Sequence, residues 1–324
     1  MRFAKTMLAV AALAGWSGAG WAACANPGSL SVADVTATPS GGGNYDPFSD
    51  ASLKIDASVL ISNSAATVCE NAQLAFVFAS GSPQMSAGST DRIDVQVMRD
   101  GESSPDLLAT TLANATGRIM VGTIPAKSGA ANGEVTVNFD VLIAPASAAN
   151  GVVADDAYSL TPSLIDMVVA STDVDSGNTQ LGSKGDLNVS ATVNELLDVN
   201  IDGTNYIPGS LAAHTMALGT LNSGVTGSVG VQLRANVAHQ LALSSANGGA
   251  MVGPDPATTY SVPYTVSIGG LSGVSLSSAQ ALSYSGKTVR DGAALTLQVT
   301  VGDASAVQAG DYEDTITLTV SGNP

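Results

Sequence analysis

The stretch Ala309-Gly310-Asp311-Tyr312-Glu313-Asp314-Thr315-Ile316-Thr317-Leu318-Thr319-Val320 alternates apolar and polar side chains, and Ser321 to Pro324 follow it. A period of two is strand geometry. Successive Cβ atoms point to opposite faces, so Tyr312, Ile316, Leu318 and Val320 share one side while Glu313, Thr315, Thr317 and Thr319 take the other. The apolar side needs a second layer beneath it, and no return strand follows in the sequence. The expectation is a sheet edge completed by another molecule.

The same pattern extends through the chain. With 35 Gly, 13 Pro and only 12% charged residues, Val, Thr and Ser runs are separated by Gly, Asn, Asp and Pro, and helical periodicity is almost absent. This predicts an all-β protein whose turns carry the punctuation. The mean hydropathy of +0.26 excludes a disordered acidic chain. The formal net charge of −16 excludes nucleic acid and anionic membrane surfaces as partners.

Arg2 and Lys5, the apolar run Met7 to Ala14 and the small-residue exit Gly20-Trp21-Ala22-Ala23 read as a secretory signal, residues 1–23, cleaved after Ala22 or Ala23. The apolar run is too short to span a bilayer, so no membrane insertion is expected. A lipoprotein signal is a second reading because Cys24 follows two alanines, although Trp21 is a poor fit. Cys24 and Cys69 are the only cysteines. In an oxidising compartment such a pair is expected to form one disulfide, and no close spacing or His partner points to metal or redox chemistry.

The remaining length of about 300 residues suggests two domains. The polar, Gly-punctuated residues 171–186 read as a linker between domains at 24–170 and 187–324. Strands are predicted in the first half at Leu30 to Val35, Ser52 to Ile61, Gln73 to Phe78, Ile93 to Met98, Gly117 to Val121, Glu134 to Ile143 and Leu164 to Val169. In the second half they are predicted at Leu187 to Val193, Leu196 to Ile201, Ser228 to Ala235, Gln240 to Ser244, Tyr264 to Ile268, Leu295 to Val301 and Thr315 to Val320. This spacing fits two immunoglobulin-like β-sandwiches in tandem.

Four segments resemble the spore coat protein U domain family, the pilin-like subunits of archaic chaperone-usher pili. They are the closing Ala309 to Val320, Leu187-Asn188-Val189-Ser190-Ala191-Thr192-Val193, Val262-Pro263-Tyr264-Thr265-Val266-Ser267-Ile268 and the turn Asn44-Tyr45-Asp46-Pro47-Phe48-Ser49. The resemblance covers both halves, and the second matches better. It implies a C-terminal sandwich lacking its last strand, which a periplasmic chaperone and then the adjacent pilin subunit would supply. An outer-membrane usher would guide assembly. Tyr312, Ile316, Leu318 and Val320 would line the acceptor groove.

Subunits of that family donate a free extension before their first cysteine, whereas here Cys24 directly follows the expected cleavage site. The expectation is a subunit that accepts a strand and donates none: a two-domain tip adhesin at the cell surface, bound to an abiotic or host surface and serving biofilm formation. The alternative is a structural or spore-coat-type subunit without a receptor.

Apolar residues in first-half loops are candidate surface contacts: Pro83 and Met85, Leu107 and Leu108, and Val152 and Val153. The competing reading is that they plug the ends of the sandwich. Tyr45 and Phe48 carry the same pair of readings, sugar contact or turn anchor. No enzyme is expected, since His214 and His239 lie without a Gly-x-Ser-x-Gly elbow, a close His pair or a Cys/His cluster. No cofactor or metal is expected either. Asp173-Val174-Asp175 lacks the Gly and Glu positions of a calcium loop, and Gly41-Gly42-Gly43 leads into no helix.

Overall fold

The structure is a computed structural model. It describes residues 24, 26–39, 44–79, 82–87, 91–103, 106–115, 117–145, 152–160, 163–170, 179–201, 213–253 and 260–323. The expected signal at 1–23, Gly41 to Gly43 and the linker residues 171–178, with the Asp173 to Asp175 run, lie outside them.

The described residues form strands and short 3₁₀ turns. The first set of strands is β1 (Leu30–Val32), β2 (Val35–Ala37), β3 (Leu53–Asn63), β4 (Cys69–Val77), β5 (Gln84–Ser86), β6 (Ile93–Arg99), β7 (Leu108–Ala109), β8 (Ile119–Ile124), β9 (Gly133–Ile143), β10 (Asp156–Leu160), β11 (Ile165–Ala170) and β12 (Gly185–Val193). The second is β13 (Leu197–Ile201), β14 (Thr226–Ala235), β15 (His239–Ser245), β16 (Ala250–Val252), β17 (Ser261–Ile268), β18 (Leu271–Val274), β19 (Gln280–Tyr284), β20 (Ala293–Val301) and β21 (Ile316–Gly322).

In the first sandwich one pairing path runs β1-β3-β9-β6-β5-β10-β12-β11-β4-β7, with β2 on β12 and β8 on β4, so that β5 and β10 link the β3–β9 layer to the β12–β11–β4 layer. Alternation explains the long β3–β9 pair. Val59 lies opposite Val137 and Ala57 opposite Phe139, which puts the apolar set of both strands on the inner face. Phe139 then meets Phe76 of the facing layer, with ring centroids 5.0 Å apart. The disulfide Cys24–Cys69 fixes the entry of the chain to the start of β4.

One expected boundary is displaced. Leu187 to Val193, read as the opening strand of the second domain, belongs to β12, which pairs with β10, β11 and, in parallel, β2. Leu187, Val189, Ala191 and Val193 are all buried in the first core. The segment read as linker therefore leads into the closing strand of the first sandwich. Gly185 explains the tight fit, since a Cβ there would fall 2.5 Å from the Ala33 carbonyl oxygen.

The second sandwich has a layer in the order β13-β14-β20-β17-β16, with β18 on β17, facing a layer β19-β15-β21. Its core differs from the first. In the first sandwich most apolar core members are fully buried, whereas in the second the half-buried members outnumber the buried ones.

Candidate acceptor groove

The chain enters β21 through a polar anchor. Asp314 accepts hydrogen bonds from the Tyr264 hydroxyl at 2.6 Å, the Ser245 hydroxyl at 2.5 Å, the Asn247 amide at 3.1 Å and its neighbour Thr315 at 2.7 Å. Burial, and then the Asp314 carboxylate beside it, push the Tyr264 phenol well above its usual range. Just upstream, Glu313 and Val252 exchange two backbone bonds of 2.9 and 3.0 Å. The start of β21 is thus fixed from several sides.

Beyond that anchor, β21 has one hydrogen-bonded neighbour. It pairs with β15 from Ile316 opposite Ser245 to Gly322 opposite His239, and no described strand pairs with its other edge. Among the described strands β13 is likewise the end of its layer, paired with β14. The two end strands lie close to each other. Glu195, just before β13, lies beside Gly322 at the end of β21, where a Cβ would fall 2.7 Å from Glu195 Oε1.

The side chains report the same opening. Ile316, Leu318 and Val320 are half-buried while Thr317 and Thr319 between them are exposed. Val199 and Ile201 of β13 are half-buried against the same core. In β12 of the first sandwich the equivalent alternating apolar residues are buried, with partners on both sides. An apolar face with open ladder edges is satisfied by an added strand: backbone groups gain partners, and alternate side chains fill the gap.

The expected groove residues divide accordingly. Ile316, Leu318 and Val320 share the half-buried face of β21, as their spacing predicts. Tyr312 stands before the strand, with its hydroxyl donating to the Gln308 carbonyl at 2.9 Å, because the alternation upstream of Thr315 is taken up by the anchor. Val199 and Ile201 of β13, which alternate with polar Asp198 and Asn200, are half-buried residues outside the expected groove set.

The six loop residues do not form an exposed apolar surface. Pro83, Met85, Leu107, Val152 and Val153 are buried, and Leu108 is half-buried. Met85 lies within β5 and Leu108 within β7 rather than in loops. Apolar side chains beside strand ends gain more by covering open core than by facing water. Tyr45 is likewise an anchor, buried with its hydroxyl donating to the Ala144 carbonyl at 2.9 Å. Phe48 lies under the Arg234 guanidinium, 5.6 Å from the ring centroid. His239 is buried, stacks on Tyr284 at 4.9 Å and places Nδ1 3.0 Å from the Val237 carbonyl. His214 is exposed.

The junction between sandwiches is short and held. The Asn236 side chain accepts from the Leu196 amide at 2.7 Å and donates to the Asn194 carbonyl at 2.9 Å. Arg290 reaches Asp50 at 2.9 Å across it.

No protein-family model matches this sequence, and no curated protein matches it. Several solved structures are similar to it. One is the chaperone-tip adhesion subunit pre-assembly complex CsuC-CsuE from archaic chaperone-usher Csu pili of Acinetobacter baumannii. There the identity is 14%, the TM-score 0.37, and the match covers 90% of this chain and 99% of that one. Another is the CupB6 tip adhesin of Pseudomonas aeruginosa, with 12% identity, a TM-score of 0.40, and 90% and 92% coverage. A third is CfaE, the adhesive subunit of CFA/I fimbria of enterotoxigenic Escherichia coli, with 10% identity, a TM-score of 0.32, and 90% and 98% coverage.

Proposed function

We propose that this chain is an exported subunit of a chaperone-usher type pilus, completed in its second sandwich by a strand from another molecule and facing outward through its first. The observation that supports this reading is the contrast between the two sandwiches. β12 closes the first, while the β13 and β21 edges of the second stay open over half-buried Val199, Ile201, Ile316, Leu318 and Val320. The strand comes first from a periplasmic chaperone and then, after passage through an outer-membrane usher, from the adjacent subunit. The role is binding and assembly, with no catalysis.

The position at the fibre end rests on the expected removal of residues 1–23 as a signal. Residues from Cys24 onward are tied into the first sandwich through Cys69 and Leu30, so they are not free to fill a neighbour's groove. The first sandwich then serves surface attachment and biofilm formation as a tip adhesin. Burial of five of these six residues (Pro83, Met85, Leu107, Val152 and Val153), with Leu108 half-buried, favours a second reading, an assembly subunit without a receptor of its own.

A synthetic peptide alternating isoleucine or valine with threonine tests the groove. It is expected to bind the purified chain and raise the Tm of the second sandwich. Absence of binding removes the pilus reading. Whole cells lacking the first sandwich separate the two roles: lost attachment supports an adhesin, and unchanged attachment supports an assembly subunit.

A further inference from the structure

The two ends of β14 have different described neighbours. Among the described residues β13 pairs with β14 from Ile201 opposite Val231 to Leu197 opposite Ala235, and the start of β14 runs from Thr226 to Gly230. Register places that start at the Asp314 end of β21. Gly227 lies opposite Val299, Val299 opposite Val266, and two residues on, Val301 lies opposite Tyr264, whose hydroxyl bonds Asp314.

Another segment occupies this end. Residues 213–221 form no strand among the described residues, yet Met216, Leu218 and Leu221 are half-buried against the second core. Met216 and Leu218 recur at a spacing of two, as the residues of a strand filling the gap would. Both lie on Gly227, which shares the inner face with Val229 and Val231. A Cβ at Gly227 would fall 2.4 Å from Leu218 Cδ2 and 2.8 Å from Met216 Sδ. The missing side chain is therefore what admits them.

Resting on the acceptor-groove reading, we propose that Met216 and Leu218 are a placeholder. They cover the Ile316 end of the groove while it is empty and are displaced when a full-length donor strand docks. A contact without ladder bonds suits that role. It hides apolar surface in the free subunit, yet a donor that adds backbone hydrogen bonds outcompetes it. The donor's apparent affinity is its intrinsic affinity multiplied by the fraction of molecules with the placeholder unseated.

The test uses the whole chain and the same alternating peptide. With Met216→Ala and Leu218→Ala together, the peptide is expected to bind about five-fold tighter or more, because its competitor is weakened. The Tm of the free variant falls by about 5 °C or more, whereas that of the peptide-bound variant stays near wild type. Equal falls in both states, or unchanged affinity, overturn the placeholder and make the pair ordinary core. Peroxide oxidation of Met216 in the unmutated chain, followed by peptide mapping, gives an independent readout. The rate is expected to rise on peptide binding, and an unchanged or lower rate overturns the proposal. A peptide that fails to bind the unmutated chain overturns the groove and the placeholder together. One that binds without exposing Met216 overturns only the latter.

Discussion

Lys287 of the second sandwich places its ammonium 2.5 Å from the Asp91 carboxylate of the first, across the junction. Both are shielded, at 27% and 14% side-chain exposure, and Asp91 also accepts from the Ala154 amide at 2.9 Å. Burial works against the charged carboxyl. The Lys287 and Ala154 hydrogen bonds outweigh it and hold Asp91 below the usual carboxylate range.

The first prediction follows from that pair. Lys287→Ala removes one charged partner of a shielded carboxylate, and the expected cost is roughly 1–3 kcal/mol at the junction. Because the folded pKa of Asp91 is depressed, its contribution is complete above the ordinary carboxylate value near 4 and is lost as pH falls through the folded value. Small-angle scattering should show a broader distribution of inter-sandwich separations in the variant at neutral pH, and in the unmutated chain only under acid. An unchanged distribution in the variant would show that the other junction contacts suffice.

The second concerns the faces of β21. Leu318→Asp puts a charge on the half-buried face, while Thr319→Asp puts it on the exposed one. Covering the exposed half of each apolar residue is worth roughly 1 kcal/mol. Leu318→Asp should weaken binding of the alternating peptide at least tenfold in calorimetric titration, and Thr319→Asp should leave it within about twofold. Equal effects would show that the peptide binds elsewhere.

The third is an alkaline signature at the anchor of β21. The raised Tyr264 phenol contributes stability that is complete below the ordinary tyrosine value near 10 and is lost as pH rises toward its folded value. Removing the Asp314 charge removes part of the cause. Asp314→Asn should let the Tyr264 phenolate form at lower pH, read by absorbance near 295 nm. A phenolate onset identical to that of the unmutated chain would leave burial as the whole cause.

Strand alternation made most of this fold readable. The β3, β9, β14, β20 and β21 runs keep a period of two over long stretches, and the structure places their apolar sets inward. Ownership of strands was not readable from that signal. Leu187 to Val193 alternates equally well whichever sandwich buries it, and the choice is made by the close approach of Gly185 to Ala33 and by parallel pairing with β2. Short strands such as β5 and β7 have too few residues to show a period. The loop candidates failed for a related reason: an isolated apolar residue such as Leu107 gives no indication of which side of the loop the core lies on.

The last prediction uses the placement of the disulfide. Cys24–Cys69 closes a separation of 45 residues wholly within the first sandwich. By the chain-entropy argument, cross-linking a loop of that size stabilises by about 4 kcal/mol. The proposed donor groove lies in the second sandwich, whose core is separate. A chain with two cores need not unfold in one step. In calorimetry, Cys24→Ser with Cys69→Ser should lower one transition and leave the other in place, while the alternating peptide should raise only the second. If both treatments move a single shared transition, the junction through Asn236, Lys287 and Arg290 couples the sandwiches more strongly than either core holds itself. The Lys287→Ala variant should then split that transition in two.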